Sequence, residues 1–144
     1  MGKIGAIMRI ARLLKTVPLL VWVLFVSQVS YSQGMKPKIR LEFEVTASDL
    51  SQLSELLMRF ARDEGFSISD HGAKMPPKNG RPLFWMELSR GSLVEVDVNN
   101  IRSENRVFVW IYELSPNPEF DEVAGRLEKV LREKWPNIAP YKGL

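Results

Sequence analysis

Apolar and polar residues alternate strictly from Ile39 to Thr46, with Ile39, Leu41, Phe43 and Val45 interleaved by Arg40, Glu42, Glu44 and Thr46. That period of two predicts a half-buried strand. From Leu50 the period changes. Leu50, Leu53, Leu56, Leu57, Phe60 and Ala61 recur at helical spacing, with Ser48 or Asp49 placed to cap the helix and Gly65 to end it. Phe66 to His71 reads as a short strand. Gly72 to Pro82 is a loop rich in Gly and Pro that carries Lys74, Lys78 and Arg81, a basic tongue between two strands.

Three more strands follow. In Leu83 to Ser89, Phe84, Met86 and Leu88 share one face. Val94, Val96 and Val98 then alternate with Glu95, Asp97 and Asn99. Arg106 to Leu114 is apolar on both faces: Val107, Val109 and Ile111 are aliphatic, and Phe108, Trp110 and Tyr112 are aromatic. A strand that is apolar on both sides belongs inside a sheet rather than at its edge. After Pro116, Asn117 stands as a cap with Pro118 at the first turn. Phe120, Val123, Ala124, Leu127, Val130, Leu131 and Trp135 then line one helical face up to Pro136.

The predicted class is α+β: a single antiparallel sheet of four to five strands with two helices packed on one face, in the order β-α-β-β-β-β-α. Two layers bury every apolar face. A right-handed crossover from the first strand sets it beside the last, leaving that last strand central. The domain spans residues 38–136, with a linker at 33–37 and a loose tail at 137–144.

Composition changes the picture mainly at the N-terminus. The net charge is +3, but four of the 20 Lys and Arg (Lys3, Arg9, Arg12 and Lys15) lie in residues 1–32, which hold no acid. The rest of the chain therefore has 16 bases against 17 acids, and no nucleic-acid footprint is expected. Val17 to Val26 is a ten-residue apolar run, half of the roughly 20 residues that span a bilayer. A basic stretch, a short apolar run and Ser30-Tyr31-Ser32 before Gln33 fit a signal peptide at 1–32. An uncleaved anchor is the alternative, and it is the only membrane contact the sequence suggests. The expected location is periplasmic or secreted, with inner-membrane anchoring as the second choice.

Chemistry is sparse. The chain has no cysteine and a single histidine, His71, so no metal site and no cofactor is expected. Ser67, Ser69, Asp70 and His71 are neighbours on one strand and do not converge as a triad would. Glu95 and Asp97 share a face, but any half-exposed strand repeats that spacing, so a carbohydrate-active or hydrolytic enzyme using Glu87, Glu95 or Asp97 remains only an alternative. The sharper feature is the sheet face away from the helices, where Trp85, Glu87, Glu95, Asp97, Phe108, Trp110 and Tyr112 gather by alternation. Exposed aromatic patches of this kind mark protein contacts. The competing readings are cross-strand packing of the rings under Arg and Lys stems, and sugar stacking. The expected function is a noncatalytic protein-binding module, with a partner protein or self-association on that face. A membrane-anchored accessory subunit of an envelope complex is an alternative.

N-terminal sequencing of the protein recovered from the envelope or medium should begin at Gln33. An intact Met1 would replace the cleaved signal by an anchor.

Overall fold

The computed structural model describes residues 34–143. The leader and its cleavage point therefore lie outside the described residues. The strands are β1 (Ile39–Glu44), β2 (Ser67–Asp70), β3 (Trp85–Arg90), β4 (Val94–Asn99), β5 (Arg106–Glu113) and β6 (Ala139–Pro140). The helices are α1 (Asp49–Glu64) and α2 (Phe120–Lys134). One antiparallel sheet runs in the order β2-β3-β4-β5-β1-β6. The doubly apolar β5 is central, between β4 and β1, as its pattern requires.

Register aligns the aliphatic face row by row. Leu41 stands opposite Val109, Val109 opposite Val98, and Val98 opposite Met86. All four are buried beneath the helix layer, together with Phe43, Leu88, Val94, Val96, Val107 and Ile111. α1 contributes Leu53, Leu57, Phe60 and Ala61, and α2 contributes Phe120, Val123, Ala124, Leu127 and Leu131. The helices run antiparallel and are tied by a forked pair in which Arg126 donates to both Glu64 oxygens at 2.6 and 2.7 Å. That guanidinium holds the Glu64 carboxyl below its ordinary value. α2 covers the β1 side of the sheet, where Trp135 meets Phe43 at 5.1 Å between ring centroids.

The helix starts differ from the expectation. Ser48 makes no side-chain cap. Instead Asp49, the first helical residue, reaches back, accepting the Thr46 backbone N–H at 2.7 Å and its hydroxyl at 2.8 Å, which ties the end of the alternating segment to the helix start. Asn117 is not the cap either: the helix is entered through Glu119, and the Asn117 Oδ1 accepts the Glu119 N–H at 3.0 Å to fix the turn that precedes α2. At the other end of α1, Gly65 takes φ 72°, the left-handed turn that a glycine reaches without strain.

Residues 138–141 are not loose. Ile138 is buried, β6 pairs with β1, and the Tyr141 N–H donates to the Arg40 carbonyl at 3.0 Å. The sheet thus has six strands, one more than the upper expectation. Two paired residues are too few for an alternation pattern to show, which is why the sequence hides them. The basic tongue also has local order: a short 3₁₀ turn at Gly72–Lys74, then a bridge from Lys78 to Arg81 around Asn79 (φ 55°) and Gly80 (φ 75°). Two consecutive positive φ values are the tight-hairpin geometry that Asn-Gly favours.

Leu57 is fully buried, whereas its neighbour Met58 is 42% exposed. Leu57→Ala should lower the unfolding free energy by about 2–5 kcal/mol. Met58→Ala should change it by less than about 0.5 kcal/mol. Urea denaturation of the two variants separates these outcomes.

Candidate functional site

Alternation and register together build the helix-free face. One cross-strand row holds Trp85, Asn99, Phe108 and Glu42 on β3, β4, β5 and β1. The next holds Glu87, Asp97, Trp110 and Arg40, and the third Ser89, Glu95 and Tyr112. All seven residues singled out from the sequence therefore share this face. The structure sorts them by depth. Glu95 (2% exposed) and Phe108 (5%) are buried, so they back the surface rather than touch a partner. Trp85, Glu87, Asp97, Trp110 and Tyr112 are half-buried.

Phe108 is covered by its own neighbours. It lies parallel to Trp110, with centroids 6.0 Å apart and planes 7° off, and Tyr141 meets both rings edge-on at 5.4 and 5.2 Å. These separations fall within the favourable range for aromatic pairs. The Arg102 guanidinium sits over the Trp110 ring at 5.6 Å. Both readings of the stripe therefore hold in part: Phe108 is packed under its neighbours, with an Arg over Trp110, while Trp110 and Tyr112 remain half-buried and accessible. Tyr141 could not be placed here from the sequence, because its strand was not visible there. Arg40 could have been, since it sits between Ile39 and Leu41 and must point away from them.

The acids are not equivalent. Glu42 and Glu44 at the β1 edge are held by Arg106 at 3.3 and 3.7 Å. At the β3–β4 end, Asp97 accepts a hydrogen bond from Asn99 Nδ2 at 2.8 Å, and Glu87 lies 3.4 Å from His71 Nε2. Among the described residues, neither Glu87 nor Asp97 has a Lys or Arg within ion-pair distance. Burial pushes the Asp97 carboxyl above its ordinary value of 3.8, and the Glu87 and Glu95 charges push the same way, against the Asn99 bond and the nearby Trp85 indole N–H. The Trp85 indole N–H is buried on this side without closing a hydrogen bond, while its ring packs 4.7 Å from His71. The Tyr112 phenol is likewise raised, first by burial and then by Asp97 and Glu95.

Asp97, Asn99, Trp110 and Tyr112 line a depression of about 390 Å³ with Pro37, Arg40, Ile101 and Arg102. Between the lining residues Asn99 and Ile101, the buried Asn100 side chain takes the Phe84 N–H at 2.8 Å and donates to the Pro82 carbonyl at 3.3 Å, fixing the end of the tongue beside β4. A larger groove of about 650 Å³ runs between the helices over Leu56, Phe60 and Val130. Its charged lips already meet across it through Arg126 and Glu64, and its lining brings together no cluster of rings with desolvated acids. The sheet face is therefore the better candidate. Among the described residues, no group of three or more His, Asp or Glu side chains is placed to hold a metal ion. No helix among them is long and apolar enough to cross a membrane. No protein-family model matches the chain, and no curated protein is similar to it.

Because its folded value is raised, Asp97 favours the native state fully below pH 3.8, and that contribution is lost as pH rises through the folded value. Asp97→Asn, which keeps an acceptor for Asn99, should therefore raise the melting temperature at pH 7, and the gain should vanish below pH 3.8. Thermal scans across pH 3–8 test this, and an Asn variant less stable at pH 7 would contradict it.

Proposed function

We propose that this protein is a small exported, noncatalytic binding module that takes a protein partner on the aromatic and acidic sheet face. The supporting observation is the pairing of a half-exposed Trp110 with an Asp97 carboxylate that burial and its acidic neighbours hold in a costly charged state. A partner cation brought to Asp97 and Glu87 offsets that cost, and an indole beside it supplies apolar contact area. The partner segment therefore carries Lys or Arg next to an apolar side chain. The depression includes Asp97 but neither Glu87 nor Glu95, an arrangement suited to recognition rather than to a pair of carboxylates acting across a cleft.

Export follows from the leader and places the module in the periplasm or outside the cell; a retained leader would tether the same module to the membrane as an accessory subunit. A cysteine-free domain folds there independently of redox conditions.

The test is affinity capture from the envelope or culture medium with the wild-type protein, Trp110→Ala and Asp97→Asn in parallel. A partner held by the wild type should bind Trp110→Ala at least about tenfold more weakly, about 1.4 kcal/mol. Its retention should fall with added salt for the wild type and less steeply for Asp97→Asn. Equal capture by folded Trp110→Ala rules out this face.

A further inference from the structure

The two edges of the sheet are protected unequally. On one side β6 is two residues long and contains Pro140, which has no N–H to offer, so that edge is closed to further pairing. On the other side β2, Ser-Ile-Ser-Asp, has four exposed residues, no proline and no lysine. The His71 N–H donates to the Trp85 carbonyl, so in this antiparallel register Ser67, Ser69 and His71 point their backbone groups inward to β3. Ile68 and Asp70 then direct theirs outward, where no described strand receives them.

The same edge is apolar on its helix side. Ile68 stands opposite the fully buried Leu88 on the core face, yet it is 38% exposed. Met58, 42% exposed, lies on α1 one residue past Leu57, while Leu56, one residue before it, lines the groove toward α2. Each step is 100° around the helix, so Met58 occupies the flank away from α2. With α2 over the β1 half, that flank overlooks β2.

We propose that two copies of this chain associate through β2, edge to edge and antiparallel, to form one continuous sheet. Of the registers that match faces, the one that pairs the apolar side chains puts Ile68 opposite Ile68 of the second copy, rather than opposite Asp70, on the two-fold axis, where each donates its N–H to the other's carbonyl. Ser67 faces Ser69 of the copy, and the two Met58 side chains flank the isoleucine pair on the helix side. Asp70 and its symmetry mate lie four residues apart, about 13 Å, beyond the roughly 8 Å screening length of physiological salt. A one-residue slip would set Ile68 against the polar face and is excluded by the pleat. The contact is small, so the dimer is weak and depends on concentration. This association does not depend on the partner proposed for the aromatic face.

Because the chain contains no cysteine, a single introduced thiol can bond only to another copy. The test uses the full chain, purified in whatever form the cell processes it to. Ile68→Cys places the two Cα atoms about 5.5 Å apart, within disulfide reach. Ser69→Cys places them about 8 Å apart on the opposite face, beyond it. Under mild oxidation Ile68→Cys should give covalent dimer at least tenfold faster than Ser69→Cys. In sedimentation equilibrium, Ile68→Lys, which puts a charge on an already exposed position, should weaken the dimer at least tenfold with an unchanged circular dichroism spectrum. Equal cross-linking rates, a dimer indifferent to Ile68→Lys, or a monomer up to about 1 mM would each overturn the proposal.

Discussion

β5 is the constraint from which the architecture follows. Its eight residues place three aliphatic side chains on one face and three aromatic ones on the other, so it needs cover on both sides. The aliphatic face receives two helices, each supplying a row of buried Leu, Phe and Ala, with Val123 added from α2. Among the described residues, no helix covers the aromatic face. It is served instead by the segment around β6, which passes β1 and lays Tyr141 edge-on against Phe108 and Trp110. Burying a ring such as Phe108 contributes roughly 1.5–3 kcal/mol. That is enough to order a two-residue strand that could not hold itself. β6 is therefore a consequence of β5 rather than an independent element.

The same asymmetry explains what could be read from the sequence. Where one pattern runs for six residues or more, as in Ile39–Val45, Leu50–Ala61 or Val94–Asn99, it names both the element and its buried face, because period and burial report the same geometry. The central position of β5 was legible for that reason. The end of the domain was not. Ala139 and Pro140 carry no period, and Tyr141 is held by contacts to rings some thirty residues earlier. The seven face residues were found by alternation, but alternation cannot tell Trp110 from Phe108. Their depths differ because of Tyr141 and Arg102, which approach from elsewhere in the chain. Thr46 and Asp49 show the same limit on a smaller scale: the residues at a helix start are visible, while the donor chosen depends on local backbone geometry.

Charge is distributed with similar unevenness. Lys38 holds Glu113 at 2.7 Å, Arg126 holds Glu64, and Arg106 holds Glu42, so these acids are compensated within the domain. Asp97 has an amide for a neighbour and two carboxylates close enough to raise it. A sequence that pairs its acids at several places but leaves one desolvated beside an indole departs from its own local rule, and such departures concentrate where proteins act. The departure also has a thermodynamic sign: a carboxyl raised in the folded state favours the native state less once it ionises, so Asp97 is the acid whose charge the fold itself accommodates least.

The two proposed surfaces reinforce each other geometrically. A two-fold axis normal to the sheet at β2 leaves both helix layers on one side and both aromatic-acidic faces on the other. β4 is two strands in from that axis. At about 4.8 Å per strand, the two Asp97 sites would stand roughly 24 Å apart on one continuous surface. A partner with two basic segments could then engage both copies, and the second contact would form at the high effective concentration that linkage provides. A weak edge contact and a modest face contact, each marginal alone, would in that arrangement stabilise one another: partner binding draws the copies together, and pairing of the copies tightens partner binding by the same factor.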